Sequence, residues 1–402
     1  TKTEQGENAY VYLLDEAMQM DKIGLISTNL AEKIAMTVTE SPYRVTAETI
    51  SNTCGQSISS GGVWNMMQRL GERLDEEEQY AVKEMHADRT QGEKIIPVLF
   101  EEMDGIWLHM QDSSHKRMKK QEMKVFTMYE GWDKDQQRRS TLVGKTMLAG
   151  METSRLFHEK REALIEKKYD VDEIQQRILN GDGGSWIKET YDPDAIFQLD
   201  RYHVYQEILR KINDRSAQRE ARNLFEEGKT EESLEFLLAY AERVETTDEK
   251  DNRSRNAREL YRYLNNNKAG LLPYQKQGKK IPEPREGIVY KNMGVQESQN
   301  CTVITMRMKH RRMRWSVKGA NNMAKVLCCK ENKELCRTIE KYTDGLIFNA
   351  RMNEIMETLS AAKTSKKDGK GNRYVELMRG HVPLIDAAAT ASRKAFRNAF
   401  IR

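Results

Sequence analysis

Apolar positions along the chain first recur at helical spacing and later at strand spacing. Over residues 1–40, Tyr10, Leu13, Leu14 and Met18, then Leu30 and Ile34, fall on the 3.6-residue period. Residues 43–74 read as helix, turn, helix. Thr46 is placed to cap a short helix through Ile50 to Cys54, and Gly55 supplies the turn. Ser59 or Ser60 opens a second helix bearing Val63, Met66, Met67 and Leu70. Residues 72–95 read as a linker helix. From Lys94 the period changes, and 95–111, 124–129 and 139–147 are short apolar or alternating runs that predict three consecutive strands. A charged helix over 153–168 follows, then a strand ending in the glycine-rich turn at 178–184, and a short strand at 197–200. Helices are predicted over 203–267, a loop over 268–286, a last strand over 286–292 and a basic helix over 301–310.

This order is an α/β pattern interrupted by an all-α insertion. It divides the chain into a helical N-terminal region (1–90, with the helix-turn-helix at about 43–74) and an α/β core (91–202 and 285–345). A helical insertion and loop (203–284) interrupts the core, and a helical tail (346–402) with a flexible polar segment at 363–372 follows it.

Composition narrows the class. The 402 residues are 38% hydrophobic and 32% charged, enough to bury a core. The longest apolar runs are only a few residues, far short of the ~20 that a membrane span needs. No basic segment followed by an apolar one opens the sequence, so a soluble, cytoplasmic protein is expected. The five cysteines, an odd number, match no zinc spacing and predict no disulfide framework. The net charge of +4 decides little, but its distribution does. Between Glu297 and Glu331 there is no acidic residue, while eight Lys and Arg fall inside. A strip of one sign suits an anionic partner.

Three carboxylates stand out. Asp104 lies inside the first predicted strand and shares a face with Glu102 and Ile106. A carboxylate on a buried strand is costly unless paired, and a divalent cation is one such partner. Asp182 follows the fourth strand between Gly181 and Gly183, and Glu297 precedes the basic helix. Two Mg²⁺ ions held by such carboxylates serve phosphodiester chemistry without a catalytic His or Cys.

The segments MDGIWLHMQ (103–111), NGDGGSWIKE (180–189), FQLDRYHVYQEIL (197–209), GLLPYQ (270–275), 290–327 and RGHVPLIDAAATASRKAFRNAF (379–400) resemble the bacterial insertion-sequence transposases of the ISLre type. The likeness spans nearly the whole chain. It implies an RNase H-like catalytic domain with an Asp-Asp-Glu triad on Asp104, Asp182 and Glu297, two Mg²⁺ (or Mn²⁺) ions, and double-stranded DNA as partner, both element ends and target. A homo-oligomer is expected, because two ends must be joined. Asp200-Arg201-Tyr202-His203 resembles the Asp-x-x-His motif of Mutator-like transposases. There His203 would touch the scissile phosphate or a displaced nucleotide; a strand-to-helix corner, with Asp200 as N-cap and His203 bonded to backbone, is the plainer alternative.

DNA contacts are expected from the second helix of the helix-turn-helix, through Asn65, Gln68 and Arg69 in the major groove. More are expected from Arg307, Lys309, Arg311, Arg312, Arg314, Trp315 and Lys318 in the basic strip. Trp107 and Trp186 read as core or site walls. Two competing functions share these features: a helix-turn-helix DNA-binding protein that no longer catalyses, and a structure-specific nuclease of the same fold.

Overall fold

The computed structural model describes residues 28–342, apart from 56, 113, 115, 136–140, 189–191 and 246–250. The helix expected before residue 28, the tail from 346 and most of the acidic stretch at 245–251 lie outside the described residues.

Among the described residues three helices come first: α1 (Thr28–Val38), α2 (Tyr43–Cys54) and α3 (Ser60–His86). Gly55, at φ 66°, ends α2 in the left-handed conformation that glycine adopts without strain. Ser59 caps α3 by accepting from the Gly62 amide at 3.0 Å. The helix expected to end near Leu70 instead runs 27 residues, through the stretch predicted as linker.

The strands are β1 (Val98–Leu108), β2 (Gln121–Tyr129), β3 (Gly131–Asp133), β4 (Leu142–Val143) and β5 (Thr146–Gly150). The run at 139–147 is therefore not one strand, because Gly144, at φ 65°, breaks it and sends its halves to different sheets. Helix α4 (Ser154–Lys168) follows, then β6 (Gln176–Gly181), the short α5 (Ser185–Lys188) and β7 (Ile196–Leu199). The insertion is four helices, α6 (Arg201–Lys211), α7 (Arg215–Glu227), α8 (Thr230–Arg243) and α9 (Arg253–Asn266), around their own apolar core of Ile208, Leu237 and Leu260. Strand β8 (Ile288–Val289) joins β3 and β4 in a small second sheet.

Beyond it the basic helix starts earlier than expected. A helical path runs from α10 (Gln296–Gln299) through a π-turn (Asn300–Thr305) to α11 (Met306–Met308). Wide turns of this kind re-aim the side chains they carry. Helices α12 (Val317–Glu331) and α13 (Leu335–Tyr342) close the described chain.

The main sheet has the order β5–β2–β1–β6–β7, with β2 antiparallel to both β1 and β5, β6 parallel to β1, and β7 parallel to β6. One face of β1 explains the architecture. At its start Val98 and Phe100 pack with Tyr129, Trp132, Tyr274 and Met293, Phe100 stacking on Tyr129 at 5.4 Å between ring centroids. At its end Ile106 and Leu108 pack with residues of α1, α2, α3 and α12. The N-terminal helices thus share a core with the sheet and form no separate apolar unit. Helices α3 and α12 touch at Gly71, where a Cβ would lie 2.4 Å from that of Asn322. Between the two apolar ends of that face sit Glu102 and Asp104.

No helix among the described residues is long and apolar enough to cross a membrane.

Candidate active site

Register brings the polar residues together. Glu102 on β1 pairs with Asn180 on β6, and Asn180 with Gln198 on β7. Two residues further along β1, β6 and β7 stand Asp104, Asp182 and Asp200. Crevices at the carboxyl ends of parallel strands are the usual ligand sites of such sheets. The Asn180 amide donates to Glu102 at 3.2 Å and to Asp200 at 3.3 Å, and Gln198 donates back to Asn180 at 3.1 Å. This row is buried and holds Asp200.

Asp104 is itself buried, accepting from the Gly105 amide at 2.8 Å and from Asn300 Nδ2 at 2.6 Å. The π-turn carries Asn300 to this contact. Burial pushes the Asp104 carboxyl up to about 6; His203 pulls against that shift, and the charges of Asp182 and Glu297 add to it. His203 Nε2 lies 3.7 Å from Asp104, and its Nδ1 lies 2.9 Å from Asp200. Burial alone would lower the imidazole pKa. The Asp200 hydrogen bond and the charges of Asp104, Asp200 and Asp182 overcome it and raise the pKa to about 9. His203 is therefore an imidazolium at neutral pH, bonded to a carboxylate and not to backbone as the plainer alternative had it.

Asp182 follows β6 in a turn where Gly183 has φ 82° and Asp182 Oδ1 accepts from the Gly184 amide at 2.7 Å. The Tyr263 hydroxyl, from the helical insertion, donates to the Asp182 carbonyl at 2.7 Å. Glu297 is exposed in α10, and the Tyr202 hydroxyl hydrogen-bonds it; the charge of Glu297 is the main cause that raises the phenol pKa.

What places α10 is Glu102. Its carboxylate accepts from the Gly294 amide at 3.0 Å, Val295 at 3.2 Å, Gln296 at 3.0 Å and the Tyr129 hydroxyl at 2.6 Å. Burial raises its pKa against these bonds. One buried carboxylate thus ties the loop before Glu297 to the strand of Asp104.

Asp182, Glu297 and His203 are brought within electrostatic reach of Asp104. The three carboxylates do not close into a compact cage, since among the described residues only Asp75, Glu78 and Glu152 place oxygens all within 4.8 Å of one another. Oxygen-only donors of this kind fit Mg²⁺ or Mn²⁺.

The expected DNA contacts divide. Asn65 and Arg69 are exposed on α3, but Gln68 is buried and its Oε1 accepts from Asn322 at 2.8 Å, so it serves the α3–α12 contact. Arg307 is buried too. Its Nε donates to the Val38 carbonyl at 2.6 Å, and its guanidinium lies 5.5 Å from the ring centroids of Tyr43 and Trp315. Trp315, 6% exposed, donates its indole N–H to the Met308 carbonyl at 2.9 Å and offers no open face to solvent for stacking. Lys309, Arg312 and Arg314 are exposed; Lys318 is exposed and pairs with Glu72 at 2.7 Å. The side chain of Arg311 lies outside the described residues. Trp186 packs edge-on against Phe157, whereas Trp107 is 52% exposed.

Sequence reasoning missed Asn300, Asn180, Tyr202 and Tyr263, and saw Glu102 only as a face-mate of Asp104. The signal for Glu102 was present: two acidic residues at i and i+2 on a strand whose other same-face positions are apolar. Asn300 carried no such signal, because its role depends on the π-turn.

A family profile described as "Uncharacterised protein family (UPF0236)" matches residues 2–343. Three UPF0236 proteins of Caldanaerobacter subterraneus subsp. tengcongensis are similar to the chain. One is 23% identical over 380 residues, covering 91% of this chain and 73% of its own length. A second is 22% identical with the same coverage, and a third 22% identical, covering 91% of this chain and 69% of its own length.

Proposed function

We propose that this chain, which belongs to the UPF0236 family, is a DNA transposase that cleaves strands at the ends of a mobile element and joins the freed 3′-hydroxyl to target DNA. The reading rests on one observation above the others. Asp182 and Glu297 lie within electrostatic reach of Asp104 at the end of β1, with the His203 imidazolium beside it. Three consecutive main-sheet strands, a helix and two further strands support an RNase H-like core, with the four-helix insertion filling the long interval between Asp182 and Glu297. The relatives' names add independent support. One joins eleven locus labels of a single organism and another joins four, and dispersal through a genome is what a mobile element produces.

Asp104, Asp182 and Glu297 would hold two Mg²⁺ or Mn²⁺ ions. When bound, these supply Lewis acidity for phosphodiester hydrolysis and transesterification. The chain's own residues do the rest. Asn300 orients the Asp104 carboxylate, and Glu102 anchors the loop and helix start that present Glu297. Asp200 holds His203 protonated, so that its charge can bind a phosphate oxygen beside Asp104. Tyr202 steadies Glu297 at the open side. Two element ends call for two active sites, so a dimer or larger assembly is proposed.

The test combines purified protein, Mg²⁺ or Mn²⁺, DNA bearing the element ends and a supercoiled plasmid. Cleaved ends and joined products are expected. Asp104→Ala, Asp182→Ala and Glu297→Ala should each lower both by at least ~10³-fold, about 4 kcal/mol of barrier, while end binding persists. Full activity in Asp182→Ala overturns the reading. Cleavage without joining makes the protein a nuclease, and binding without either makes it a DNA-binding protein.

A further inference from the structure

A cavity of about 400 Å³ opens between the helix-turn-helix and the strip after α11, walled by Tyr43, Trp64, Gln111, Arg314 and Trp315. Its back is rigid. Tyr43 meets Trp315 edge-on with ring centroids 6.5 Å apart, and the buried Arg307 guanidinium lies over both rings. The Gln111 amide donates to the Trp315 carbonyl at 2.9 Å, stitching this wall to the chain that continues β1.

Trp64 is the anomaly. It lies on α3 between the buried Val63 and Met66, yet it is 47% exposed. An exposed indole beside an aromatic wall gives this cavity a flat apolar surface open to solvent.

The surroundings state the partner's charge. Arg117, Lys120, Lys309 and Arg314 all act electrostatically on His109, the residue just past β1, so cations from two segments gather at this edge. Arg314 belongs both to this group and to the cavity wall. Stacking surface next to phosphate-binding charge is the combination that unpaired nucleic acid uses, because a paired base offers no free face. Fully paired DNA would use the cations and leave Trp64 idle.

We propose that this cavity takes one unstacked nucleobase of the bound DNA, Trp64 stacking on the base while Arg314 and the neighbouring cations hold its flanking phosphates. This rests on reading the chain as a DNA enzyme. The cavity begins seven residues beyond Asp104 along the β1 direction, roughly 20 Å.

The experiment measures binding of the full chain, without divalent metal, to an oligonucleotide duplex bearing one extrahelical 2-aminopurine and to the same duplex fully paired. The bulged probe should bind about tenfold more tightly, within the range that one base–aromatic stack supplies, and its fluorescence should be quenched. Trp64→Ala should bring the ratio near one, and Trp64→Tyr should keep most of it. An abasic bulge should behave like the paired duplex. A parent ratio of one, or a Trp64→Ala ratio equal to the parent's, overturns the pocket alone. No binding of either probe overturns the pocket together with the functional reading.

Discussion

Asp75, Glu78 and Glu152 bring carboxylate oxygens within 4.8 Å of one another, and two lysines fill the space between them. Lys160 reaches the three at 2.6, 2.9 and 2.5 Å, and Lys325 reaches Glu78 and Glu152 at 2.6 Å each. Both ammonium groups are fully buried. Asp104, Asp182 and Glu297 form no ion pair with a lysine among the described residues, and His203 stands 3.7 Å from the nearest oxygen. The first cluster satisfies the geometric rule for a metal site, yet two buried lysines already occupy it and offset two of its three carboxylates. The second is looser, but its charge is unmet. At Asp75 and Glu152 the lysines win over burial and hold the pKa values down; at Glu78 and at Asp104 burial wins and carries the pKa up. Cation supply, not carboxylate spacing, separates the structural site from the candidate catalytic one.

The largest test of this contrast is stability. Lys325→Met leaves three carboxylates to one ammonium and should cost about 3–5 kcal/mol, as breaking a buried ion pair does. Asp182→Asn removes a charge that lacks an ion-pair partner among the described residues and should cost nothing or stabilise slightly. Denaturant titration of both variants reads the difference, and equal costs would dissolve the distinction. A smaller effect is expected at Glu102. In Glu102→Gln an amide NH₂ must face N–H donors from Gly294, Gln296 or Asn180, which should cost about 2 kcal/mol. The same change should weaken Mn²⁺ binding about tenfold, because the loop before Glu297 loses its anchor. Unchanged Mn²⁺ affinity alongside the stability loss would make Glu102 purely structural.

Much of this site was legible in the sequence because strands write their faces in period two. Asp104 inside an apolar run, and Asp182 in a glycine turn after another, mark two strand ends by residue pattern alone. What stayed hidden depends on tertiary contact. Gln68 and Arg307 have the composition of a DNA surface, but α12 and the Val38 carbonyl claim them for the interior. The lysines that neutralise Glu78 and Glu152 come from α4 and α12, far apart in sequence, and Lys325 reads there as one more member of a basic strip. Charge runs report sign; they do not report which side of a helix faces the core.

The smallest expected effect isolates His203. The folded imidazole titrates at about 9 against an ordinary 6.5, so between those pH values the folded state binds more protons than the unfolded one. The stabilisation is therefore complete below pH 6.5 and is lost as pH rises through 9. Lys325 is silent in this window, because it is held above its ordinary value and stays charged in both states. A shift of this size, discounted for an imidazole whose side chain is 27% exposed, is worth about 2 kcal/mol. The parent protein should lose about that much stability between pH 6.5 and 9, and His203→Gln should show a flatter profile. Asp104 works in an earlier window with the same sign. Its pKa of about 6 means that stability falls as pH rises from about 4 to 6, a slope that Asp104→Asn should remove. Superimposable profiles for the parent and His203→Gln would mean that Asp104 and Asp200 do not hold the proton on His203. The cation of the candidate active site would then have to be sought elsewhere.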